Sequence, residues 1–130
     1  MEPSWEEAVR RGDIGAVRDQ LARGANANAR DRHGQTALML AAHGGHLAVV
    51  QALLAHGVDN DVTAKHGLSA LMLAVVAGHA DIARLIARAG ADRTLRGTGT
   101  SGFAGKTAYE LALERGMRDL LPDLATHADA

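Results

Sequence analysis

Gly34-Gln35-Thr36-Ala37-Leu38-Met39-Leu40-Ala41-Ala42 returns 33 residues later as Gly67-Leu68-Ser69-Ala70-Leu71-Met72-Leu73-Ala74-Val75. A fixed period of this length marks stacked supersecondary units rather than one wide core. The register runs on past the block, with Gly45-His46 against Gly78-His79, Leu53-Leu54 against Ile86-Ala87, Gly57 against Gly90 and Asp59 against Asp92. One step back sets Ala8 under Ala41, Gly12 under Gly45, Leu21 under Leu54 and Gly24 under Gly57. One step forward needs 38 residues: Gly105-Lys106-Thr107-Ala108-Tyr109-Glu110-Leu111-Ala112 repeats the Gly67 block after five extra residues. The reading is a single domain over 1–124, in units of about 1–30, 31–63, 64–96 and 97–124, with the insertion near 97–104 and a frayed tail at 125–130.

Each unit reads as two helices and a turn. Thr36, Ser69 and Thr107 carry a hydroxyl just before a helix-forming run, where it can cap free backbone N–H groups. Gly45 and Gly78 stop the first helix, because glycine accepts the left-handed conformation of a helix end. Leu47, Val50, Leu53 and Leu54, mirrored by Ile82, Leu85 and Ile86, space out a second helix that ends at Gly57 or Gly90. No such pair can bury its own apolar face, so the units must stack.

Gly-x-Thr-x-Leu-x-Leu-Ala-Ala, then Gly-His, Leu-Leu and Gly-x-Asp, in 33 residues, resembles the ankyrin repeat over roughly residues 5–124. The resemblance implies an all-α solenoid of stacked helix-turn-helix units with projecting β-turn fingers. The tetrapeptide Thr-Pro-Leu-His of that family is here Thr36-Ala37-Leu38-Met39, Ser69-Ala70-Leu71-Met72 and Thr107-Ala108-Tyr109-Glu110. Its histidine-mediated bonds therefore cannot carry over, and methionine is expected to fill the space by packing. The end units look like caps: Glu6 and Glu7 stand where inner units have Met39 and Leu40, and Pro122 should shorten or kink the last helix.

Composition narrows the function. The 130 residues are 47% hydrophobic yet hold one Trp, one Tyr, one Phe and no Cys. A disulfide scaffold, a zinc–thiolate site and cysteine catalysis are excluded together, and aromatic platforms for stacking bases nearly so. Fourteen basic side chains oppose fifteen acidic ones, evenly along the chain. That balance disfavours nucleic acid, which calls for a basic excess. No apolar run nears the length of a membrane span, and the acidic N-terminal stretch is unlike a secretory signal. A soluble, cytoplasmic, monomeric chain is the expectation.

Few motifs carry chemistry. Gly99-Thr100-Ser101-Gly102-Phe103-Ala104-Gly105-Lys106-Thr107 is similar to a phosphate loop, but Thr100 stands where that motif needs its first glycine, and no buried strand precedes it. Lys106 beside a helix start leaves weak anion or nucleotide binding as a lesser alternative. Seven histidines lack the convergent spacing of a metal site, with His46 and His79 read as structural and His33 and His66 as one turn position in successive units. His33, His43 and His66 could make partner affinity depend on pH. No acid or nucleophile is paired with a base, so no enzyme activity and no cofactor are expected.

The resemblance instead implies a protein partner, of unknown identity, along the concave face formed by the turns and first helices. Residue by residue this gives Arg10 and Arg11 in the first unit, and Arg30, Arg32, His33, Gln35 and His43 in the second. Lys65, His66, Leu68 and Val76 follow in the third unit, then Lys106 and Arg115 in the last. Leu68 and Val76 are apolar where solvent is expected, which reads either as the centre of a binding patch or as a surface covered by the long finger. Phe103, the ring outside the repeat pattern, is either an anchor near the finger tip or a residue folded back over the junction of the third and fourth units. The other reading is a structural or inhibitory subunit that contacts its partner through the second helices or an end.

Overall fold

Residues 1–99 and 102–126 are described by a computed structural model of the chain. Thr100 and Ser101 of the glycine-rich motif, and 127–130 of the tail expected to fray, lie outside the described residues. The helices are α1 (Pro3–Arg11), α2 (Ile14–Ala22), α3 (Ala37–Gly44), α4 (Leu47–Ala55), α5 (Ala70–Val76), α6 (Ala80–Arg88), α7 (Ala108–Glu114) and α8 (Leu121–Leu124). Short 3-10 turns occupy Lys65–Gly67 and Arg118–Leu120. The first helices α1, α3, α5 and α7 pack side by side in one layer, and α2, α4, α6 and α8 in a second.

Caps set the helix starts. The Thr36 hydroxyl accepts from the Met39 amide and the Ser69 hydroxyl from the Met72 amide, each at 3.3 Å. Thr107 and Glu110 form a reciprocal capping box at the start of α7. The second helices α4 and α6 begin at His46 and His79 with no side-chain cap. These rings reach the preceding unit instead: His46 Nε2 lies 3.0 Å from the Arg10 carbonyl oxygen, which can only accept. A methyl group on Gly45 would come within 2.9 Å of His79 Cε1, so the left-handed helix stop is also the seat for the next unit's histidine.

Trp5, Leu38, Leu71, Val50, Leu53 and Ile86 are among the buried core residues, with Ala41, Ala42 and Ala74 where helices approach closely. Met39 and Met72 are buried too, filling the place that the family gives to histidine. The last second helix is short, as expected of a segment that contains Pro122. The last second helix is split into the Arg118–Leu120 turn and α8, and Pro122 stands in the first turn of α8, where a missing N–H leaves nothing unpaired.

Two polar systems tie the units together. In the connecting loops the Asn28 side-chain oxygen accepts from the Asp59 amide at 2.9 Å, Asp59 from Asp61 at 3.0 Å, and Asp61 from Asp92 at 2.7 Å. Thr94 closes this ladder, donating to Asp92 through its hydroxyl at 2.6 Å and its amide at 2.8 Å, which holds the Asp92 carboxyl below the usual range. At the far end Asp123 receives Arg88 at 2.9 Å and Arg84 at 3.3 Å, while Arg93 donates to its carbonyl at 3.2 Å. No helix among the described residues is long and apolar enough to cross a membrane.

Thr36→Ala should cost about 1 kcal/mol in urea unfolding, the usual worth of an N-cap. A second expectation concerns acid. The arginine hydrogen bonds, Arg88 first, lower the Asp123 pKa from 3.8, so its contribution is present above that value and is lost as pH falls through the lower folded value. Asp123→Asn should therefore melt below the wild type at neutral pH, and the gap should close in a thermal series taken down to strongly acidic pH.

Candidate functional site

The finger between the first and second units is built on one buried carboxylate. Asp31 accepts the amides of His33 at 2.8 Å and Gln35 at 2.9 Å, while its own amide donates to the Gln35 carbonyl at 2.8 Å. Its other oxygen receives Arg10 of α1 at 3.1 Å, so the finger is tied back to the preceding unit. Arg10 also meets Glu6 at 3.5 Å, one turn earlier on the same helix. The two acids near this finger are thus both engaged by Arg10, whereas Arg30 and Arg32 are exposed and form no ion pair among the described residues.

Two adjoining hollows lie along this face. One, of about 820 Å³, is lined by Met1, Glu6, Arg10, Arg30, Asp31, Arg32, His33 and Gln35. The other, of about 390 Å³, is lined by Arg10, Gln35, Leu40, His43, Gly44 and Leu73. They meet at Arg10 and Gln35, which line both, and are treated together as one groove: the first hollow has the basic wall of Arg30 and Arg32, and the second the leucine floor of Leu40 and Leu73. The groove gathers Arg10, Arg30, Arg32, His33, Gln35 and His43 of the expected contact residues. His33 and Arg32 are coupled, Arg32 Nε donating to His33 Nε2 at 3.2 Å.

A family model for ankyrin repeats, in three copies, matches residues 5–96. The chain belongs to the ankyrin-repeat family. No curated protein matches it significantly. Ankyrin repeats are in general protein–protein interaction modules, typically without catalytic activity. In this ankyrin domain the fourth helix pair follows the matched span, displaced by the insertion.

The insertion corrects part of the sequence reading. Its first residues cross the preceding finger: the Thr98 amide donates to the His66 carbonyl at 2.7 Å, and His66 is held at a φ of 63°. The Gly97 amide donates to the Lys106 carbonyl at 2.9 Å, closing the loop at its base. Leu68, expected as an exposed anchor, is only 5% exposed and belongs to the core. The neighbouring turn is lidded, since a methyl on Gly67 would meet Thr98 Cγ2 at 2.9 Å. Val76 is half-buried against the same core. Phe103 likewise packs inward, its ring 5.9 Å from that of His66 and tilted by 55°. The fold-back alternative describes Phe103 better than the projecting anchor does.

The remaining expected contacts are scattered. Arg11 is exposed but paired with Glu7 at 3.3 Å, while Lys65 and Arg115 are exposed away from the groove. In the motif that resembles a phosphate loop, Lys106 pairs with Glu114 at 2.5 Å and Thr107 serves the capping box. Among the described residues no three His, Asp or Glu side chains converge as metal ligands. Sequence reading missed Asp31, although a lone acid two residues before a turn histidine is a detectable Asx-turn signal. It also missed Leu40 and Leu73 as groove floor, because both sit in the core stripe and keep only a thin exposed edge.

Asp31→Ala should leave the His33 and Gln35 amides without an acceptor and Arg10 without its buried partner. A loss of about 1–3 kcal/mol is expected in denaturant unfolding, with faster hydrogen exchange at those two amides.

Proposed function

We propose that the chain is a cytoplasmic, non-catalytic module that binds a protein partner in the groove spanning its first three units, and that the segment it takes is acidic with small apolar side chains. The observation that carries this reading is that the two hollows meet at Arg10 and Gln35, which brings six expected contact residues together beside the floor of Leu40 and Leu73. The chain as a whole carries a formal net charge of −1, so the preference for acid is local to this wall. Arg30 and Arg32 supply it, because Arg10 is already engaged by Asp31 and Glu6. Exposed charges of this kind act mainly on encounter rate and register, while the floor shields the bound segment from water.

The mechanism is stoichiometric docking. The finger is pinned by Asp31 to α1, and the floor is fixed by the packing of α3 against α5, so the groove is formed before the partner arrives. Little ordering is then charged against binding. Arg30→Glu combined with Arg32→Glu should abolish capture of the partner from the native host while leaving helical content unchanged. Wild-type capture should weaken as salt rises. Equal retention of the same proteins by both forms would refute the groove, and a hydrogen-exchange footprint on α2, α4 and α6 would favour a contact through the second helices.

A further inference from the structure

The hollow of about 820 Å³ is polar apart from Met1, and three arginines line it against two acids. Both acids are spent. The Asp31 side chain is 0% exposed, with one oxygen accepting the His33 and Gln35 amides and the other Arg10. Glu6 is held by the same Arg10 at 3.5 Å. Arg30 and Arg32 therefore face the hollow with no acid of their own among the described residues. Both belong to one finger, whose turn is closed by the Gly34 amide donating to the Asp31 carbonyl at 3.0 Å. A methyl on Gly34 would stand 4.0 Å from Arg30 Nη1, so that guanidinium lies beside the turn. Arg32 donates through Nε to His33 Nε2 at 3.2 Å, which orients its guanidinium and leaves the two terminal nitrogens for another acceptor.

We infer, resting on the groove reading above, that this hollow seats a phosphorylated side chain of the docked protein segment, held by Arg30 and Arg32. A carboxylate has two oxygens, and one planar guanidinium fork engages both. A phosphoryl group brings three acceptor oxygens and nearly two negative charges, so it can occupy two forks at once. Two unpaired arginines on one pinned finger suit the second ligand better than the first. An apolar side chain gains nothing from a lining this polar; its place is beside Leu40 and Leu73 in the adjoining hollow. A nucleotide fits less well, because the lining offers a base no Phe, Tyr or Trp ring to stack on. His33 is a positioning residue: its Nε2 lone pair is occupied by Arg32, and it need not touch the phosphate.

Fluorescence polarisation with three peptide libraries tests this. They share degenerate flanks of acidic and small apolar residues and differ at one central position, fixed as phosphoserine, glutamate or serine. The phosphoserine library should bind about tenfold tighter than the glutamate one, the worth of one further charge-assisted hydrogen bond. Arg30→Gln combined with Arg32→Gln should erase that difference with unchanged circular dichroism, since both side chains are exposed. Arg30→Lys with Arg32→Lys keeps the charge and removes the forks, and should shrink the preference to a few-fold. Arg115→Gln, at an exposed arginine away from the groove, should leave it intact. A phosphoserine library that binds no better than the glutamate one, or a preference that survives the glutamine double variant, would overturn the inference. If both libraries bind equally and both are lost in that variant, the groove itself stands. Binding of every library that the variant leaves unchanged would remove the groove as well.

Discussion

A pair of helices two or three turns long is too thin to enclose an apolar interior, so its inner face must be closed by another pair. Most features of this chain answer to that constraint. The helices approach through Ala41, Ala42 and Ala74, which let backbones come close, rather than through rings that would hold them apart. Glycine follows each first helix, and at Gly12 and Gly45 that same glycine leaves the space where the next unit's histidine sits. The polar ties follow the same logic: Arg10 to Asp31, the aspartate ladder of the loops and the arginines around Asp123 all run from one unit to its neighbour.

What could be read from the sequence was whatever is local or periodic. Hydroxyl caps, glycine stops and the leucine stripes depend on residues within one turn of each other, and the period multiplies every such signal. Met39 and Met72 as packing residues were legible for the same reason. Leu68 was not, because its register equivalents Gln35 and Lys106 are polar and its burial follows from tertiary packing that no local pattern signals. The pairing of Lys106 was not legible either: its partner Glu114 lies one helix length along, and the two meet only once α7 places both on one side. The groove residues were named from the family's pattern, and the structure gathers six of them while scattering the rest.

The row of turn and first-helix positions changes in character from one unit to the next. The second unit presents Gln35 and His43 at the positions where the third has Leu68 and Val76 and the fourth has Lys106 and Glu114. A polar pair, an apolar pair and a closed ion pair thus succeed one another on one scaffold. Of the apolar pair Leu68 is buried and Val76 half-buried, so the third unit offers little apolar surface at these positions even though the backbone repeats throughout.

Trp5 has a consequence for how the molecule can be watched. Its indole is buried in α1, with its N–H lacking an acceptor among the described residues. It is the chain's sole tryptophan, and Tyr109, the sole tyrosine, lies in α7. The two chromophores mark opposite ends, while the middle units contribute neither. Where units are coupled only to their neighbours, the ends are free to open while the centre holds. Indole emission therefore reports the first unit alone and phenol absorbance the last, and neither is a gauge of the folded fraction of the whole.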